Sequence, residues 1–185
     1  MKRFNTIAVD IPSKHYMTLD DYHGMQGGVC MKSVITYVIC VVLVEASGFA
    51  VGMATRNGTQ IYADTINKPP LSPPGIVFPI AWTILYALMG IGFARVLLSD
   101  GGSYRSAGIV LFVIQLVLNL AWCFIFFGAQ RFGIALAELI VMLITVIAMA
   151  VSFSKCDKAA CYMQIPYILW LCFATYLNTG VVILN

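Results

Sequence analysis

Charge is what this sequence lacks first. Only 10% of its 185 residues are Asp, Glu, Lys or Arg, against about 25% in an ordinary soluble domain. Histidine occurs twice, at His15 and His23, both near the N-terminus. No Cys-x-x-Cys pair and no Cys/His spacing of a metal site is present, so a metal centre is not expected. The six cysteines (Cys30, Cys40, Cys123, Cys156, Cys161 and Cys172) do not form a disulfide framework, because most fall inside apolar runs. The net charge of +3 comes from scattered Lys and Arg without a dense basic block, which argues against nucleic acid as a partner. A nucleophile–base pair, paired carboxylates and a phosphate-binding glycine loop are also missing, which leaves a hydrolase or kinase unsupported.

What is abundant is apolar sequence. Hydrophobic residues make up 61% of the chain, and the mean hydropathy is +0.89. A span of the bilayer needs about 20 such residues, and five runs qualify: about 34–54, 75–98, 107–127, 134–153 and 160–184. The fold class is therefore an all-α integral membrane protein, a bundle of five transmembrane helices. Residues 1–33 read as a polar N-terminal tail without the apolar stretch of a signal peptide, and 34–185 as the membrane domain. The longest connection, 55–74, reads as a loop that folds over one end of the bundle.

Five spans put the termini on opposite sides. Lys2, Arg3, Lys14, Lys32, Arg95, Arg105, Lys155 and Lys158 fall on the N-terminal side, and only Arg56, Lys68 and Arg131 on the other. The positive-inside rule then expects a cytoplasmic N-terminus. That orientation suits a bacterial inner membrane.

The stretch 68–90 is the most unusual. Pro69, Pro70, Pro73 and Pro74 stiffen an extended approach to the second span. Trp82 and Tyr86 then share one helix face. Gln115, Asn119 and Trp122 share a face of the third span, and the fifth holds Trp170 and Asn178. Trp82 and Trp170 lie deep for an interfacial aromatic belt, so rings on separate helices are candidates to line a cavity for a flat apolar ligand. The buried amides have two readings, bonds between helices or an anchor for a ligand head group. Gly48 and Gly52 form a small-xxx-small pair for close helix approach. Glu45 sits mid-span and calls for a partner or a proton. Glu138, nearer an interface, is a candidate to pair with Arg131 or reach the headgroups.

The segments Asn67-Lys-Pro-Pro, Pro73-Pro74, Val77-Phe78, Trp82-Thr-Ile-Leu-Tyr86-Ala-Leu-Met-Gly90, Asn119-Leu-Ala-Trp122, Phe126-Phe-Gly-Ala-Gln-Arg131, Pro166-Tyr-Ile-Leu-Trp170 and Phe173-Ala-Thr-Tyr-Leu-Asn178 resemble the TspO/MBR family. These are the tryptophan-rich sensory proteins related to the mitochondrial translocator protein. The resemblance covers about residues 34–185. It implies a five-helix bundle, commonly a homodimer, with a pocket opening toward the first loop. Implied ligands are protoporphyrin IX or haem-related tetrapyrroles, with no cofactor required. The ligand-binding set it implies is Tyr62, Trp82, Tyr86, Asn119, Trp122, Trp170, Phe173 and Asn178. Trp82 and Trp170 take the catalytic role if a light- and oxygen-dependent breakdown of protoporphyrin exists. The sequence departs from the family at Ile76 and Ile134, where tryptophan is usual. No Lys or Arg follows Tyr176, so a cholesterol-recognition pattern is not expected.

The leading functional expectation is a membrane tetrapyrrole-binding sensor or regulator of porphyrin metabolism. A transporter of porphyrins or other amphiphiles is the main alternative, weakened by the absence of a second half that repeats the first. A protoporphyrin-degrading enzyme is the other.

Overall fold

In a bilayer every backbone donor and acceptor must find its partner within the protein, and helices achieve that without help from neighbours. The structure, a computed structural model, describes the backbone from residue 19 and the side chains from residue 31. Among the described residues it is helical, with no strand. The helices are α1 (Leu19–Ala54), α2 (Arg56–Thr65), α3 (Val77–Leu97), α4 (Gly102–Cys123), α5 (Phe132–Cys156), α6 (Lys158–Tyr162) and α7 (Ile165–Leu184). Five stretches are long and apolar enough to cross a membrane: Met31–Ala54, Val77–Leu97, Gly102–Gly128, Phe132–Cys156 and Lys158–Leu184. The protein is thus an integral, multi-pass membrane protein.

Three expectations change. Residues 1–18 of the expected tail lie outside the described residues, but from Leu19 the chain is already helical and runs unbroken into the first span. The connection 55–74 is not all loop, because Arg56–Thr65 is helical. The fifth span is interrupted at Met163–Gln164, just ahead of Pro166, whose ring and missing N–H oppose continuation of the preceding turn. Asp157 caps the start of α6, ahead of this break, its Oδ1 accepting from the Ala160 N–H at 3.0 Å.

Residues Ile35–Asn185 form one compact unit. Its centre is α5, whose Ala135, Leu139, Met142, Val146, Met149 and Phe153 follow an i, i+3/i+4 rhythm and are buried. Helix α5 packs against α4 and α7, and α3 touches both of those. The opposite helix faces carry Val110, Val113 and Val117 on α4 and Ile140, Ile144 and Ile147 on α5, all exposed on the protein surface and suited to lipid.

Close approach between α1 and α3 depends on two glycines. A Cβ on Gly90 would sit 2.7 Å from the Val41 Cα, and one on Gly48 would collide with the Tyr86 ring. Gly52 meets nothing within 4 Å, so only the first member of the expected Gly48/Gly52 pair is used within this chain. At the end of the bundle that holds the α3–α4 loop, Arg95 donates to Asp157 Oδ2 from Nε at 3.0 Å and from Nη2 at 2.7 Å. At the other end, Pro69–Ser72 closes a turn with Leu71 at φ 66, a left-handed corner usually given to glycine. The Asn67 N–H donates to Asn185 Oδ1, and Asn185 Nδ2 donates back to the Asn67 carbonyl, each at 3.0 Å. The Tyr176 hydroxyl donates to the Pro70 carbonyl at 2.8 Å. The proline-rich segment is therefore strapped to the end of α7.

Two outcomes follow from this packing. Gly90→Leu should destabilise the protein by about 1–3 kcal/mol through overpacking, while Gly52→Leu should leave the unfolding temperature in detergent nearly unchanged. Equal effects would show that α1 and α3 do not meet at Gly90. The bond from Arg95, with that from the Ala160 N–H, also holds the Asp157 carboxyl below its usual range. Its stabilisation is whole above the unfolded pKa of about 4 and disappears as pH falls through the lowered folded value. The melting-temperature deficit of Asp157→Asn should therefore shrink as the pH is taken from about 6 to about 3, and a constant deficit would refute the linkage.

Candidate functional site

The site starts from the spacing of rings on α3. Phe78, Trp82 and Tyr86 are separated by four residues, about 6 Å along a helix, and form a ladder down one face. Trp82 stands edge-on to Trp170 of α7, with centroids 6.3 Å apart at 81°, and edge-on to Tyr167 at 6.2 Å. Phe78 meets Trp170 at 6.0 Å and 76°, and Phe173 lies 5.9 Å from Trp170. Such edge-to-face contacts between rings are worth about 0.5–1.5 kcal/mol beyond their buried area, and they fix the indole planes at right angles.

Trp122 belongs to a different cluster. After Cys123 the helix widens into a π-turn over Phe124–Gly128, closed by the Ala129 N–H on the Phe124 carbonyl at 2.8 Å. That extra residue per turn re-aims Phe126 and Phe127. Phe126 stacks on Trp122 at 4.5 Å and 20°, and both phenylalanines meet Tyr62 of α2, at 5.3 and 5.6 Å. A Cβ on Gly58 would strike the Phe127 carbonyl oxygen, so α2 lies directly on the π-turn. The expectation that Trp122 joins Trp82 and Trp170 is corrected to this extent. The three line one cavity, but Trp122 stacks within the cluster nearer the 55–74 segment.

Beneath the tryptophans lies a directional chain of hydrogen bonds. The Tyr86 hydroxyl donates to Asn119 Oδ1 at 2.6 Å, and Asn119 Nδ2 donates to the Tyr167 hydroxyl at 2.9 Å. Tyr167 in turn donates to Gln115 Oε1 at 3.0 Å. All four side chains are buried. A second link joins α4, α7 and α5: Trp122 Nε1 donates to Asn178 Oδ1 at 3.3 Å, and Asn178 Nδ2 donates to the Phe132 carbonyl at 2.9 Å. Both asparagines are therefore engaged between helices, which favours the inter-helix reading of their amides. Tyr167, which ties α7 to α4, was not among the expected site residues. Its position three residues before Trp170, one helical turn away, was the available signal.

Together these elements enclose a cavity of about 640 Å³, within the range of small-molecule sites. All eight sequence-predicted residues, Tyr62, Trp82, Tyr86, Asn119, Trp122, Trp170, Phe173 and Asn178, line it. Phe78, Phe126, Phe127 and Met142 join them, as do Arg56 and Lys68 from the segment after the first span. Lys68 donates from Nζ to the Ala63 carbonyl at 2.6 Å and lies 5.6 Å from the Tyr62 ring centre. Burial pushes the Tyr62 phenol up, so it remains an uncharged wall at neutral pH. Among the described residues no group of His, Cys, Asp and Glu is arranged to hold a metal ion.

Two carboxylates behave differently from expectation. Glu138 does not pair with Arg131; both of its oxygens are buried with no hydrogen-bond partner among the described residues. Glu45, expected to need a partner or a proton, lines the cavity, half-buried and without an ion-pair partner among the described residues.

A five-span helical bundle with an aromatic-walled cavity under a proline-strapped segment places the chain among the multi-pass helical membrane proteins. The TspO/MBR family model matches residues 40–184. The tryptophan-rich protein TspO of Chlorobaculum tepidum is 36% identical over 158 residues, 83% of this chain and 98% of that protein. The tryptophan-rich sensory protein of Cereibacter sphaeroides is 38% identical over 66% of this chain and 75% of its own length. The human translocator protein is 37% identical over 65% and 72%. The chain belongs to the TspO/MBR family of membrane sensory and translocator proteins.

The hydrogen-bonded floor generates a direct test. Tyr167→Phe removes one hydroxyl that serves two bonds and leaves buried amides unsatisfied, at a cost of about 1–3 kcal/mol. The expected readout is a lowered unfolding temperature in detergent. A variant as stable as the parent would show that the chain of bonds does not hold α4 and α7 together.

Proposed function

We propose that this protein binds a tetrapyrrole, protoporphyrin IX or a haem-related macrocycle, in the cavity that Trp82 and Trp170 help to line, and acts as a membrane sensor or regulator of porphyrin metabolism. The observation that carries the reading is the pair of perpendicular indoles, 6.3 Å apart, held from both sides by Phe78, Tyr86 and Phe173. A flat macrocycle stacks on one such face and meets the edge of the other, and most of the remaining wall is apolar. The floor amides are already bonded to protein, so the cavity's attraction for its ligand comes from ring faces and apolar area. The excess of Lys and Arg on the α3–α4 and α5–α6 side supports a prokaryotic plasma membrane with the N-terminus in the cytoplasm.

The test is a titration of the purified protein with protoporphyrin IX and with haem, read by tryptophan quenching and visible absorption. Saturable binding with a shifted Soret band is expected. Trp82→Phe and Trp170→Phe each keep a smaller ring and should weaken binding about 2–10-fold. Absence of saturable binding of either macrocycle would overturn the proposal. Affinities untouched by both substitutions would place the ligand elsewhere.

A further inference from the structure

The cavity carries three formally charged side chains, and they are not spread evenly. Glu45 lies within α1, ten residues before Thr55, which is about 15 Å along a helix. The other two, Arg56 and Lys68, bracket α2 on the side where the cavity meets the 55–74 segment. Both are exposed. The one ion pair among the described residues is Arg95–Asp157, at the opposite end of the bundle. The carboxylate nearest to them along the chain, Asp64, accepts instead from Gln60 Nε2 at 2.9 Å. Arg56 thus has no acceptor among the described residues, and Lys68 spends one of its three N–H groups on the Ala63 carbonyl. That bond and the Tyr62 ring beneath it hold the ammonium over the rim rather than letting it swing into solvent.

An apolar aromatic cavity with two unneutralised cations on one edge is shaped for an amphiphile with an anionic end. We propose that Arg56 and Lys68 form a carboxylate-binding rim, so that the cavity selects ligands with an apolar body and one or two carboxylates. These carboxylates lie against α2 while the ring system is among Trp82 and Trp170. The inference rests on the tetrapyrrole reading above and adds to it the orientation of the macrocycle and the residues that select acid over ester. The basis is electrostatic. Guanidinium and ammonium groups already positioned beside a low-dielectric cavity bind a carboxylate more strongly than free surface cations do, and an esterified ligand forfeits that term while keeping its stacking.

The experiment uses the full chain in a neutral detergent without anionic lipid, titrated with protoporphyrin IX and with its dimethyl ester. The parent should bind the diacid about tenfold more tightly than the diester, the sum of two solvent-screened ion pairs. The preference should fall as salt is raised. Arg56→Gln with Lys68→Gln should bring the ratio close to one, diacid affinity falling much further than diester affinity, and Arg56→Lys should retain part of the preference. A parent that binds both forms equally overturns the rim while leaving the tetrapyrrole reading in place; failure to bind either form overturns both. A preference that survives the double substitution also overturns the rim. So does a double variant that loses only its stabilisation by added phosphatidylglycerol, because the cations would then anchor lipid headgroups.

Discussion

A buried hydroxyl or amide without a partner costs several kcal/mol in a hydrocarbon environment, because no water is at hand to repair the loss. The chain Tyr86–Asn119–Tyr167–Gln115 meets most of that constraint across three helices at once, leaving of these groups only Gln115 Nε2 without a partner among the described residues. Each group donates onward to the next, so the set is satisfied only when α3, α4 and α7 stand in one relative position. Apolar side chains alone would specify that position weakly, because lipid tails are as good a solvent for leucine as a neighbouring helix is. The polar floor fixes the register, and the cavity above it is the space that this register leaves between the three helices.

The walls follow from the same placement. Once Tyr86 and Tyr167 are bonded through Asn119, the residues one turn away on each helix, Trp82 and Trp170, face each other across the gap. Their edge-on contact is the geometry that ring quadrupoles favour. On the other side the π-turn at Phe124–Gly128 carries Phe126 and Phe127 toward Tyr62. Helix α2 therefore rests on an aromatic surface made by α4. Bonds from Asn67, Pro70 and Tyr176 then fasten the proline-rich segment to the end of α7. Four prolines reduce the conformations available to that segment before it is fastened, which lowers the entropy lost in doing so.

Much of this was legible in the sequence for a physical reason. A bilayer demands about 20 apolar residues per crossing, so hydropathy alone locates five spans. A helix repeats its face every three to four residues, so Trp82 and Tyr86 declare themselves as neighbours. The rest depended on contacts that no local pattern encodes. Arg56–Thr65 is short and polar, and a helix of that length is marginal by itself. It is held through its own Tyr62 by Phe126 and Phe127, partners far away in sequence. The π-turn over Phe124–Gly128 inserts a residue into the helical repeat, and no local pattern in the sequence announces it. The break at Met163–Gln164 was signalled by Pro166, but a proline near the start of a span is equally compatible with a continuous helix. Glu138 had an apparent partner in Arg131 seven residues away. Its burial between α4 and α5, and the solvent exposure of Arg131, are tertiary facts.

The distribution of satisfied and unsatisfied groups also constrains how a ligand is recognised here. Asn119 and Asn178 were attractive anchors for a head group because they are the polar residues of an apolar cavity. Each already uses both its carbonyl and its amide within the protein. A ligand that took one of those bonds would have to break a link that positions a helix. Recognition by exchange at the floor is therefore expensive, and recognition by stacking against Trp82 and Trp170 is not. Discrimination among flat ligands of similar size then falls to the edge of the cavity, where Arg56 and Lys68 still have donors to offer. Sites of this kind separate two tasks that many pockets combine. On the proposed reading the interior holds a ring system against the indoles, and the rim decides which peripheral groups are accepted.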